Sequence, residues 1–162
     1  MSLDAMAGLA QLVAVVIAAA ALVVTLSGIR KQLWLTTFAE YTGRYIQILD
    51  EIPMAARREP QTFSLASQPD SERDRLLALA IRYLNLCSEE YYLFRKNIID
   101  GRTWAIWEEE IVIALRRRWL VEAWGQVKTE YDSFVEFHAL IERIIDAGRC
   151  QDPPDAQLPL AS

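Results

Sequence analysis

Charge is almost missing from the first 29 residues: Asp4 is the sole ionisable side chain before Arg30. Histidine is nearly missing altogether, and with His138 alone neither a His-based metal site nor a Ser/His/Asp triad has its parts. The two cysteines, Cys87 and Cys150, lie 63 positions apart and outside any CxxC or Cys/His spacing. That excludes a disulfide framework and a structural zinc site, and it suits a reducing cytoplasm. The six glycines are scattered, so G-x-G-x-x-G and G-x-x-x-x-G-K are both absent and no nucleotide cofactor is expected. An excess of basic residues is missing too. Beyond residue 29 the 17 Lys and Arg face 21 Asp and Glu, which argues against a nucleic-acid binder. With 162 residues the chain has room for one membrane segment and one ordinary domain.

What is present begins with "AMAGLAQLVAVVIAAAALVVTLSGI", 25 uncharged residues from Ala5 to Ile29. About 20 helical residues cross a bilayer core, so the run is long enough to span. Eleven of the residues from Leu9 to Ile29 are Leu, Ile or Val, worth roughly −3 to −7 kcal/mol on an insertion scale. A cleaved leader is the rival reading, but the basic n-region is missing and the apolar run exceeds the usual length. Arg30 and Lys31 follow directly and no basic residue precedes, so the positive-inside rule predicts an N-out anchor in the inner (cytoplasmic) membrane with a cytoplasmic C-terminal domain. Trp34 falls where an interfacial aromatic belongs. Ala10, Ala14 and Ala18 form a small-residue face suited to helix association in lipid, although alanine is also simply common in such segments.

After the span, Trp34, Phe38, Tyr41, Tyr45, Ile48 and Ile52 alternate steps of four and three, a helix–helix seam of period near 3.5. The spacing predicts one helix continuing from the span to Pro53, which must stop it. "PMAARREPQTFSLASQPD" then reads as a loop of about 53–70 with at most one short turn. Asp70 or Ser71 is placed to cap the next helix, whose stripe is Leu76, Ala80, Tyr83, Leu84, Cys87, Tyr91 and Phe94; Cys87 is thereby a core residue and not a reactive thiol.

Asp100 is positioned to cap a third helix with Trp104, Trp107, Ile111 and Leu115 on one face. Glu108, Glu109 and Glu110 diverge around that helix, so they do not converge as paired acid/base carboxylates. Arg116, Arg117 and Arg118 are expected to close it, complementing its C-terminal partial charge. The same cluster is the candidate contact for an anionic ligand or lipid. Trp119, Leu120, Trp124 and Val127 predict a short helix. Ser133 and Glu136 have capping-box spacing ahead of the last stripe, Phe134, Phe137, Ile141, Ile144 and Ile145, with Gly148 as its C-cap. His138 reads as core edge or surface. Residues 150–162, rich in proline, are expected to be a disordered tail.

Two stretches, "YLNLCSEEYYLFRKNIIDGRTWAIWEEEI" and "AWGQVKTEYDSFVEFHALIERII", carry a resemblance to short bacterial membrane proteins of the DUF4760 type. It rests on Leu84, Asn85, Glu89, Glu90, Tyr92, Ile99, Asp100, Trp104, Trp107, Trp124, Tyr131 and Phe134, about half the chain. The chain departs from that group at Arg116 to Leu120, where its members have a shorter turn around a proline. The resemblance implies one N-terminal membrane helix with a small cytoplasmic helical domain, and it supplies no catalytic residues.

The expectation is therefore an all-α protein. Residues 1–30 form a single transmembrane anchor continuous with a long amphipathic helix, and residues 31–149 form a small cytoplasmic helical bundle. The preferred function is a non-enzymatic, self-associating interaction or scaffold module whose partners are the lipid bilayer, further copies of itself and a protein at the cytoplasmic face. The alternative is an oligomeric, channel-like effector gated by an anionic ligand or partner.

Overall fold

The computed structural model describes residues 3–149, with side chains throughout except at residues 3–7, 9 and 10. Among the described residues there are six α-helices and no strand: α1 (Leu3–Glu51), α2 (Met54–Arg58), α3 (Asp70–Arg95), α4 (Gly101–Ala114), α5 (Arg118–Val127) and α6 (Val135–Arg149). Short 3-10 turns lie at Leu65–Ser67 and Lys128–Tyr131. The chain divides into two compact units with the boundary inside α1, after Gly43.

The first unit is the helix itself. From Leu12 to Ile29 its large apolar side chains stand 48% to 72% exposed. One apolar window within Gln11–Glu51 reaches a mean hydropathy of 2.7 with no residue buried, long and apolar enough to cross a membrane. The two hydroxyls between Leu12 and Ile29 are satisfied within the helix: Thr25 donates to the Ala21 carbonyl and Ser27 to that of Val23, each at 2.8 Å. Such back-bonding removes the cost of an unpaired donor in lipid. Further on, Trp34 stacks on Phe38 with centroids 5.5 Å apart.

The second unit is a bundle. Pro53 ends α1, as the sequence predicts. Two guanidinium groups then take over its last carbonyls, Arg57 bonding to Leu49 O and Arg75 to Glu51 O. Arg82 Nη1 donates to both oxygens of the Glu51 carboxylate, at 2.7 and 2.8 Å. Ile48 and Ile52 are buried here, and Tyr45 is half-buried with its ring 6.3 Å from Tyr83. The C-terminal part of the expected seam is thus spent within the bundle.

The segment expected to be a loop is built in. Ala56 and Leu65 have no exposure at all, Ser64 is buried, and α2 and a 3-10 turn order the path. Pro60 O accepts the Arg118 amide at 2.8 Å, tying the segment to the start of α5. The next helix is not capped by Asp70 or Ser71: Pro69 occupies the cap, and Asp70 pairs with Arg73 at 2.7 Å.

Helix α3 buries Leu76, Leu79, Ala80, Tyr83, Leu84, Leu86, Cys87 and Glu90, while Tyr91 and Phe94 are half-buried. It ends in a Schellman turn. Asn97, at φ 55°, donates to Phe94 O at 2.9 Å, and Ile98 donates to Leu93 O at 3.0 Å. Asp100 caps α4 as expected, accepting from Arg102 N at 2.8 Å, Thr103 N at 3.1 Å and the Thr103 hydroxyl at 3.0 Å. Trp104, Trp107, Ile111 and Leu115 are all buried. Phe94 stacks on Trp104 at 5.0 Å.

Three further expectations about helix ends are overturned. Helix α4 stops at Ala114, so Arg116, Arg117 and Arg118 do not close it; the first two form a turn and Arg118 opens α5. Helix α6 begins at Val135, which puts Ser133 and Glu136 out of capping-box register, and Glu136 pairs with Arg95 at 2.9 Å instead. Gly148 lies inside α6 with a helical φ and is no C-cap. The bundle core is aromatic: Trp119, Trp124 and Phe137 are fully buried, and Tyr131 bridges Trp124 and Phe137 at 5.5 and 5.6 Å. The tail assigned to residues 150–162 lies outside the described residues.

Candidate functional site

The turn between α4 and α5 splits the arginine cluster. Arg117, half-buried, lines a small crevice together with Ile48, Ile52, Tyr83 and Trp119. Its charge is felt by Tyr45, though burial and the 3.0 Å hydrogen bond that Tyr45 donates to Glu110 dominate and push that phenol up to about 12. Arg116 and Arg118 face the other way. They line a cavity of about 560 Å³ whose far wall is the C-terminal end of α6, and that wall contributes a third guanidinium, Arg149. Leu115, Val121 and Ile145 supply its apolar surface. An adjoining cavity of about 250 Å³ shares Leu115, Arg116 and Gly148 and is reached by Arg143.

Among the described residues one carboxylate lines this cavity, and it is fully engaged. Glu122 accepts from Arg118 Nε at 2.7 Å, from the Ser64 hydroxyl at 2.9 Å and from the Leu65 amide at 2.6 Å. The Ala66 amide adds a longer contact at 3.4 Å. Burial pushes the Glu122 carboxyl up, but those donors outweigh it and hold it below the ordinary carboxylate range. Glu122 is therefore ionised at neutral pH, and its charge pins the connector to α5. Arg118 is left with its terminal nitrogens. Arg149 makes a loose 3.5 Å pair with Asp146. Among the described residues the Arg116 side chain has no hydrogen-bond or ion-pair partner, while its amide donates to Ile113 O at 3.3 Å.

The other singled-out residues separate from this site. Ala14 and Ala18 are exposed on α1, while the side chain of Ala10 lies outside the described residues. Cys87 is buried, and burial pushes its thiol well up, the opposite of an activated nucleophile. The three glutamates do diverge: Glu108 sits 3.8 Å from Arg143, Glu109 is exposed and Glu110 takes the Tyr45 hydroxyl. His138 is half-buried at the core edge, 3.4 Å from Asp132 and 3.6 Å from Glu142, with its ring edge-on to Trp124. Glu142 is tied to the Trp124 indole at 2.9 Å and to Lys128 at 3.1 Å. Among the described residues no three His, Cys, Asp or Glu side chains gather as a metal site.

Three residues escaped sequence reasoning. Arg149 follows Ile145 by one helical turn, which puts it at the edge of the core stripe, but only the folded chain brings it opposite Arg116. Glu122 belongs to no motif or apolar stripe that would single it out in the sequence. Glu90 continues the stripe of Tyr83 and Cys87 and is 7% exposed; burial and the neighbouring Glu89 raise its carboxyl to about 8 against the opposing pull of Arg44. No family model, curated protein or solved structure matches the chain.

Proposed function

We propose that the protein is a single-pass membrane-anchored interaction module without catalytic activity. In this reading α1 crosses the inner membrane N-out and supplies, in the same helix, the first element of a cytoplasmic bundle offered to a protein partner. The observation that carries it is the unbroken 49-residue α1, whose apolar stretch stands exposed while Ile48 is 4% exposed within the bundle. Exposed apolar area of that extent is stable only against lipid or other apolar helices. Arg30 and Lys31, next to the stretch, support the orientation, and the resemblance to the DUF4760 type supports the plan.

Self-association through the small-residue face is part of this reading. Size measurement of the full chain in neutral detergent should give an oligomer, and replacing both Ala14 and Ala18 by Leu should shift it towards monomer. A wild-type monomer would overturn self-association. One observation favours a second reading, an oligomeric effector gated by an anionic ligand: the guanidinium groups gathered around one cavity. Ligand addition would then change the oligomer or open a membrane leak.

A further inference from the structure

We propose that the cavity between the α4–α5 turn and the end of α6 binds a phosphate monoester of a small organic molecule. Arg116, Arg118 and Arg149 would hold the phosphate, with Leu115, Val121 and Ile145 against the organic part. The inference deepens the second reading above, which requires such a site, and supplies its ligand class.

Charge is the first argument. Among the described residues three arginines and one carboxylate line this cavity, and that carboxylate is saturated by Arg118 Nε, the Ser64 hydroxyl and two backbone amides. Glu122 therefore has no remaining demand on Arg116 or on the terminal nitrogens of Arg118. The Arg149–Asp146 pair is weak competition, since both side chains are about 70% exposed. A second argument is geometric. Guanidinium presents parallel donors that match the oxygens of a phosphate, and three such side chains line one cavity, Arg116 with no ion pair among the described residues, Arg118 engaged with Glu122 through Nε and Arg149 in the loose pair with Asp146.

Size decides between a bare anion and a larger ligand. About 560 Å³ falls within the range of small-molecule pockets and far exceeds what inorganic phosphate fills. Leu115 and Ile145 line it while being only 5% exposed themselves, so the apolar part of the wall is firm core surface. A phosphate ester can come from a soluble metabolite or from a lipid headgroup, and the same guanidinium chemistry recognises either.

The test is titration calorimetry on the full chain in neutral detergent. The probes are adenosine 5′-monophosphate against adenosine, and dihexanoyl phosphatidic acid against dihexanoyl phosphatidylcholine. The expected result is binding of a phosphomonoester probe and none of its phosphate-free or zwitterionic control. Arg116→Glu and Arg149→Glu should each weaken binding at least tenfold with the melting temperature unchanged. Arg116→Gln gives a milder second variant should charge reversal disturb folding. Arg102→Glu, an exposed arginine at the start of α4 outside the cavity, should bind as wild type does. Binding of the nucleotide alone assigns a soluble source, and of the phosphatidic acid alone a lipid source; either upholds the site. Binding that leaves oligomer size and membrane leakage unchanged keeps the site and ends the gated reading. No binding of either phosphomonoester, or equal weakening by Arg102→Glu, overturns it.

Discussion

Replacing Glu122 with Ala asks whether the segment between Pro53 and Pro69 is a connector resting on the bundle or a structural part of it. The substitution strips the charged acceptor from two buried groups, the Leu65 amide at 2.6 Å and the Ser64 hydroxyl at 2.9 Å, and frees Arg118. A hydrogen bond to a charged group contributes about 1.5–3 kcal/mol, and the exposed i,i+4 pair adds a few tenths. Water can reach the rim of this site, since the Glu122 side chain is 26% exposed. The expected loss is therefore about 2–4 kcal/mol. For a bundle of roughly 100 residues at about 4 °C per kcal/mol, the melting temperature should fall by about 8–16 °C. Glu122→Gln keeps one acceptor oxygen and should lose about half as much. The pH dependence follows the sign of the shift. Because the folded carboxyl titrates below its usual 4.5, its contribution is present above that value and is lost as pH falls through the folded value; the gap between wild type and Glu122→Ala should close in acid. Calorimetry gives the melting temperature, and amide exchange at Leu65 reads the local effect. A variant within about 2 °C of wild type with its Leu65 amide still protected would refute the pinned connector.

Other expectations follow from single contacts. Leu65→Ala should cost about 2–5 kcal/mol by equilibrium unfolding, as for a fully buried leucine, whereas a surface loop would lose almost nothing. Glu90 is raised to about 8, so its favourable contribution is complete below about 4.5 and is lost as pH rises through the folded value. Glu90→Gln should flatten the stability profile between those limits, by ~3–5 kcal/mol across the window, in melts at stepped pH; a wild-type profile already flat there would contradict the burial argument. Asn97→Gly should match or slightly exceed wild type in thermal stability, while Asn97→Val should lose about 1–2 kcal/mol, because φ 55° is open to glycine and costly for a β-branched residue.

Features fixed by neighbours in sequence were legible in the sequence. Pro53 stops α1, Asp100 caps α4, and the three- and four-residue steps of Trp104, Trp107, Ile111 and Leu115 turn one face inward, all through interactions within a turn or two of helix. The failures share the opposite cause. Leu65 is buried and its amide is held by Glu122, 57 residues later, so a segment rich in Pro, Ser and Gln carries no local sign of its order. The end of α4 was hidden because Leu115 is apolar and the arginines after it are good helix formers, while the chain turns there to let the Arg118 amide meet Pro60 O. The capping-box spacing at Ser133 lost to a 3-10 turn and to Arg95 drawing Glu136 away. The fold divides the arginine cluster: Arg116 and Arg118 line one cavity, Arg117 lines another, and Arg149 joins the first from a helix that sequence alone could not bring alongside.

The anchoring claim is tested most directly by intact-mass measurement of the full chain after membranes from expressing cells are washed with alkaline carbonate. Retention in the pellet, at the mass that includes the apolar segment through Ile29, is the result expected. Release into the wash, or a pellet species shorter by that segment, would contradict the account.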